Sequence, residues 1–224
     1  MPLNTLFTYR TGQDKAALLD HSNPLWNRCE RATIDRYWSG QSALKEKGYN
    51  WNNLTRVSSL WNEDCLFFYF KCWFEALNVN PEWNTQRKIH GLWERDVVEA
   101  FIKPESCDDY FEIEVSPAGQ WLDLHVIKPR VDVDFHWESG LDVQVEIKHE
   151  ERLWRTLIAL PFEPMLETAE ISRRPAVGDA WRLNLFRCAG EQPDREYLAW
   201  RPTFTPQSDF HVPSSFGNLI FLEK

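Results

Sequence analysis

Arg87-Lys88-Ile89-His90-Gly91-Leu92-Trp93-Glu94-Arg95-Asp96-Val97-Val98-Glu99-Ala100-Phe101-Ile102 opens as a polar loop carrying a tryptophan and closes as an apolar strand. Successive strand side chains point to opposite faces, so Val98, Ala100 and Ile102 share one face while Val97, Glu99 and Phe101 share the other. The first set is wholly apolar and marks the core side. Glu99 is then aimed away from the core, with Trp93 and Asp96 just upstream at the strand entry. Spacing alone fits two readings: a recognition surface of indole and carboxylates, or a tryptophan plugging its loop above a glutamate on a hydrated face.

The next segments continue the pattern. Over residues 110–116, Phe111, Ile113 and Val115 alternate inward while Tyr110, Glu112 and Glu114 alternate outward, and Pro117-Ala118-Gly119 makes a turn. Over residues 121–126, the expected inward set is Leu122, Leu124 and Val126, and the outward set Trp121, Asp123 and His125. If these strands are neighbours, one face gathers Glu99, Glu112, Glu114, Asp123 and His125 with two aromatics, a wet acidic surface of the kind a polyol would meet. Upstream, strands are expected at 56–61 and 65–74, the latter apolar on both faces and therefore central. Residues 75–92 form a polar loop with Trp83 and His90, and long loops beside a rigid sheet often carry recognition residues.

Further strands are expected at 141–147, 154–160, 181–187, 196–200 and 218–222, with a turn leading into a brief helical piece at 161–166. Residues 1–24 form a polar lead-in, 26–36 either a short helix or an edge strand, and 37–53 a loop carrying Trp38, Tyr49 and Trp51. Short strands separated by turn chemistry, without alternating helices, predict an all-β fold: a two-sheet antiparallel β-sandwich with long loops and a short helix or two. No internal repeat or domain boundary divides it, so residues 1–224 form one domain.

With 25 basic and 34 acidic residues the net charge is −9, and no Lys/Arg run compensates locally. Nucleic acid and anionic membrane surfaces are therefore excluded as expected partners. Twelve tryptophans and six tyrosines exceed what packing usually demands, and each offers the stiff amphipathic face that binding sites use. Trp121, Trp181 and Trp200 are assigned to structure. Cys29, Cys65, Cys72, Cys107 and Cys188 make an odd set without a CxxC pair, which favours thiols over a disulfide framework. The first ten residues carry no signal-peptide pattern and no apolar stretch reaches membrane-spanning length, so the sequence as it stands predicts a cytoplasmic location. A secreted or periplasmic one follows if an export leader has been removed.

The run from Leu92 to Ile102 resembles the W-x-x-D-x-V-E-x-F motif of the family 9 carbohydrate-binding modules, within the DOMON-like β-sandwich group. Tyr110 to Gly119, Trp181 to Arg187, Tyr197 to Pro202 and Phe210 to Leu219 extend the resemblance over roughly residues 25–222. It implies a jelly-roll sandwich that binds a mono- or oligosaccharide without catalysis, two aromatics clamping a terminal sugar while a carboxylate and basic side chains bond its hydroxyls. By position Trp93 corresponds to the first clamp aromatic and Glu99 to the motif carboxylate. The second clamp tryptophan has no counterpart, and Phe210 and His211 occupy its neighbourhood. The expected ligand-binding set is Trp93, Asp96, Glu99, Glu112, Arg187, Phe210 and His211, Arg187 either reaching the ligand or pairing with Glu99.

No cofactor is expected, although the resemblance allows structural calcium at Asp108-Asp109 or Asp132-Asp134. Two alternatives remain. Glu99 with Glu112 or Asp123 would supply the paired carboxylates of a glycoside hydrolase. A haem-binding relative would use His and Met ligands, for which Met1 and Met165 are the only methionines, or two His ligands from the six present. Oligomeric state, partner enzyme and sugar identity are left open.

Overall fold

The computed structural model describes residues 4–44, 53–105 and 107–223; Tyr49, Trp51 and Met1 lie outside them. The strands are β1 (Thr5–Arg10), β2 (Ala32–Ile34), β3 (Arg36–Tyr37), β4 (Thr55–Trp61), β5 (Cys65–Trp73), β6 (Val97–Lys103) and β7 (Tyr110–Val115). They continue with β8 (Trp121–Lys128), β9 (Asp132–Asp134), β10 (Asp142–Lys148), β11 (Leu153–Pro161), β12 (Ala180–Ala189), β13 (Glu196–Ala199) and β14 (Gly217–Leu222). The helices are short: α1 (Lys15–Leu18), α2 (Phe162–Thr168) and three single-turn 3₁₀ segments. Among the described residues, no helix is long and apolar enough to cross a membrane.

The all-β expectation holds, but the two separate antiparallel sheets do not appear as such. The strands form one hydrogen-bonded path, β10-β11-β5-β4-β1-β14-β12-β6-β7-β8-β9, with β2, β3 and β13 pairing beside it. Its centre is parallel: β1 pairs in parallel with β14 and, from Thr8 onward, with β4, while the other ladders are antiparallel. The segment expected as a polar lead-in thus supplies the strand joining both arms. Leu6 and Thr8 are buried there, and the Thr8 hydroxyl accepts a hydrogen bond from Ser59 at 2.9 Å.

The two arms pack on each other through a common core. Leu66, Phe68 and Phe70 of β5 and Ile158 of β11 meet Val98, Ala100 and Ile102 of β6 and Phe111, Ile113 and Val115 of β7. Trp181 and Trp200 are buried in the same cluster, as expected of structural tryptophans. The outer face of the β6–β7–β8–β12 arm is largely covered. Val97, Phe101, Tyr110, Leu122, Leu124 and Phe186 form a second apolar cluster there, covered by Leu92, Phe210 and Phe216 from loops.

This second cluster reverses one expectation. In the β7–β8 ladder Glu112 stands opposite Leu124 and Glu114 opposite Leu122, whereas Phe111 stands opposite His125 and Ile113 opposite Asp123. Directly paired residues share a face, so Trp121, Asp123 and His125 lie on the core side and not with the glutamates. There His125 stacks on Phe111 with ring centroids 5.1 Å apart and bonds Asp109, while Asp123 accepts from the Ser139 backbone and pairs with Lys88 at 2.6 Å each.

Arg187 is corrected in the same way. It stands opposite Val98 in the β6–β12 ladder, which directs it between the arms. Fully buried, it donates to the Trp73 carbonyl at 2.7 Å, to the Thr55 hydroxyl at 3.1 Å and to the Asn53 amide oxygen at 3.2 Å, and its guanidinium lies 5.8 Å from the Trp154 ring. It does not pair with Glu99 and does not line the cleft described below. Removing a buried donor set strands its acceptors without water, at about 1–3 kcal/mol each. Arg187→Ala should lower the unfolding free energy by about 3 kcal/mol or more in urea denaturation. Saccharide affinity of the remaining folded fraction should be unchanged; a loss confined to affinity would place Arg187 in the site after all.

Candidate functional site

Gly91 has φ +82°, a left-handed conformation suited to glycine, and turns the chain into the 3₁₀ segment Leu92–Glu94. Leu92 plugs into the second cluster while Trp93 stays half-buried at the lip above it. Asp96 closes the turn. Its carboxylate accepts the Gly190 N–H at 2.7 Å and its own N–H donates to Asn78 O at 2.8 Å, which ties three loops together. Burial pushes the Asp96 carboxyl above its ordinary range, opposed by the nearby Arg187 charge. It is a buried pin and does not line the cleft.

The cleft, about 1240 Å³, lies over the outer face of β6, β7 and β8. Glu99, Phe101, Glu112, Leu124 and Cys188 contribute to its floor, and Trp93, Phe210 and His211 to its walls. Of the expected binding residues, Trp93, Glu99, Glu112, Phe210 and His211 therefore converge on one cavity; Asp96 and Arg187 do not. Phe210 is buried and stacks on Phe186, with centroids 4.0 Å apart and 11° between planes, so one ring face is already taken. A row of rings runs outward from Trp93: His90 at 5.1 Å, then Phe135 at 4.8 Å from His90.

Arg195 is the residue that sequence reading missed. Its guanidinium donates to Trp93 O at 2.5 Å and to Arg95 O and Gly190 O at 2.7 Å, holding the tryptophan turn from behind while also lining the cleft. Its partners are backbone carbonyls, two of them about a hundred positions away, so no side-chain pattern announces it. Arg130 plays a similar part across the cleft, bonding Asp209 at 2.6 Å beside His211.

The floor gathers charge. Glu99 stands directly opposite Glu114 in the β6–β7 ladder and Glu112 sits diagonally from it, opposite Phe101. All three are buried, and carboxylate oxygens of the three lie within 4.8 Å of one another. Burial pushes each carboxyl well above the usual range, and the charge of Glu112 raises both Glu99 and Glu114 further. The Cys188 thiol, itself pushed up by burial and then by Glu99, donates to Glu99 at 3.3 Å. His211 places Nε2 3.8 Å from Glu112 and Nδ1 2.6 Å from the Tyr110 hydroxyl. Burial and then the Arg130 charge push His211 down to about 4, so at neutral pH its contact with Glu112 joins a neutral ring to the acid.

The alternative sites are placed elsewhere. Asp109 is engaged by His125 and Asp134 by the His136 N–H at 2.8 Å, and neither suggested calcium pair belongs to a three-residue group with converging ligand atoms among the described residues. Met165 is buried between the arms and is not part of the cleft lining. No disulfide joins the cysteines.

With the geometry in hand, a family model described as carbohydrate-binding family 9 matches residues 75–221, more than half of the chain. The chain belongs to carbohydrate-binding family 9. Among family and fold relatives, it is similar to a candidate carbohydrate-binding protein from Bacteroides uniformis, at 18% identity and TM-score 0.72 over 97% of this chain and 99% of that one. It also superimposes on a family 9 module from Caldicellulosiruptor kristjanssonii in complex with glucose, at 11% identity and TM-score 0.63 over 98% and 96% of the two chains. The same module in complex with cellotriose gives TM-score 0.64 at 11% identity over 98% and 94%. At these identities the solved structures establish the shared fold. The UPF0462 protein C4orf33 homolog of Rattus norvegicus is 29% identical over 140 residues, which is 58% of this chain and 63% of that relative.

An acid whose pKa is higher in the folded than in the unfolded chain destabilises the fold once the pH passes its unfolded value, about 4.3 for Glu. The stability is thus full below that value and is lost as pH rises through the raised folded range. His211 acts oppositely: its depressed pKa costs stability as pH falls from its unfolded value of about 6.5 toward about 4. Glu114→Gln removes only the first effect. In chelating buffer the variant should melt above the native protein at about pH 8, with the gap closing toward about pH 5, as read by scanning calorimetry. A gap that does not vary with pH would contradict a buried ionising Glu114.

Proposed function

We propose that the cleft binds the end of a mono- or oligosaccharide without catalysing its cleavage. The observation that carries this reading is the half-exposed Trp93 indole set at the wall of a cavity whose floor is Glu99 and Glu112. A pyranose presents C–H patches to an aromatic face and a rim of hydroxyls to acceptors and donors. Glu99 and Glu112 accept or exchange hydroxyl hydrogen bonds, and Gln192 and Arg195, which line the same cleft, add donor groups. Family membership and the glucose and cellotriose complexes of a module with this fold support the same ligand class.

The carboxylate geometry favours binding over hydrolysis. A glycosidase places its acid and its nucleophile or base on either side of the scissile bond, with about 5–9.5 Å between carboxyl groups. Here the three acids crowd within 4.8 Å on one face of one sheet. Stacking that covers roughly 50–100 Å² of indole contributes about 1–2.5 kcal/mol, so binding should be micromolar to millimolar. Isothermal titration with glucose and cellotriose tests this. Native protein should bind at least one of them, and Trp93→Ala should weaken binding by about tenfold or more. Absence of heat at millimolar sugar, or equal binding by the variant, would remove the reading.

A further inference from the structure

The floor of the cleft rests on a third acid, Glu114, that sugar recognition leaves unused. Glu114 is fully buried, and neither of its carboxylate oxygens receives a hydrogen bond from any described donor; Glu112 Oε2 is in the same position. Both lie beside Glu99, whose Oε1 is met by the Cys188 thiol at 3.3 Å. A buried carboxylate without a donor is costly unless a proton or a cation neutralises it. One proton shared between Glu112 and Glu114 satisfies one oxygen of each and leaves the other Glu114 oxygen without a donor.

We propose that Glu99, Glu112 and Glu114 bind one oxygen-preferring divalent cation, of the Mn²⁺ class, at the base of the cleft. Three features carry this. Oxygens from three acids, on adjacent strands of a rigid ladder, converge within 4.8 Å, a spread that small side-chain adjustments draw into the ligand sphere of one such ion. Glu114 is fully buried at that point and neither of its oxygens is met by a described donor from outside the three acids. The surroundings then resemble an outer ligand shell: His211 faces Glu112 at 3.8 Å and is itself oriented by the Tyr110 hydroxyl at 2.6 Å, the sort of arrangement that fixes a metal ligand's neighbour. Glu99 and Glu112 line the cleft, so the ion has an entry path and solvent-side positions open to water or hydroxyl oxygens. The site does not depend on the saccharide reading.

The test uses the full chain, stripped with chelator and free of sugar, titrated with Mn²⁺ while the electron paramagnetic resonance of the free ion is followed. The expected result is uptake of one ion per chain with a rise in melting temperature, and an affinity weaker by about tenfold or more in Glu114→Gln. Glu112→Gln serves as the second variant should the first fail to fold, and weakens uptake similarly. No uptake at millimolar Mn²⁺, or equal uptake by native protein and a folded variant, overturns the proposal; the latter would move the ion to surface acids. Calorimetry with glucose in chelator reads the saccharide site separately, so failure of either reading leaves the other standing.

Discussion

The placement of Glu114 directly opposite Glu99 in the β6–β7 ladder is the constraint around which the cleft is built. A pleated strand cannot rotate one side chain to the other face without moving its neighbours, and Phe111, Ile113 and Val115 hold β7 firmly in the core. The two acids are therefore committed to the outer face, where Val97, Phe101 and Tyr110 surround them with apolar atoms. Low dielectric makes their mutual repulsion large. The Cys188 thiol meets Glu99 with a dipole and the Arg195 charge acts on both acids, while no described donor reaches Glu114 from outside the cluster.

The outer face is dry because loops are tied over it. Gln120 donates to Asn80 O at 2.6 Å and to Trp83 O at 3.3 Å, and the Ile89 N–H donates to Trp121 O at 2.9 Å, drawing the 75–92 loop onto the end of β8. On the other side Phe210 and Phe216 insert into the second cluster, with Trp38 reaching Thr205 O at 3.2 Å. Arg195 and Asp96 fix the tryptophan turn between these covers. The cleft is the gap left between them, so its shape is set by loop anchors and its chemistry by the strands beneath.

Much of this was legible in the sequence. The alternation of residues 97–103 separates core-facing valine, alanine and isoleucine from Glu99 and Phe101 as the structure does, and the family motif places Trp93 and Glu99 in one cavity. The failures share a cause. Alternation identifies two faces but does not say which is the drier, and here both are buried, so the apolar set of β8 belongs to the second cluster while Asp123 and His125 turn to the core. Arg187 misled for the same reason: a charged residue in a strand suggests a wet face, yet this one is buried and satisfied by carbonyl, hydroxyl and amide oxygens. β1 went unseen because Thr5, Phe7 and Tyr9 make a half-polar strand whose partners, residues 218–222, lie at the far end of the chain.

That last pairing bears on how the protein comes together. Thr5 is registered with Asn218 and Tyr9 with Leu222, partners about 213 positions apart in the sequence, and closure of so long a loop is entropically slow. During synthesis β1 can rest against β4 through Thr8, Tyr9 and Arg10 alone, and its other edge stays exposed until residue 222 has left the ribosome. β1 is thus made long before its second partner strand and is secured only when that strand arrives.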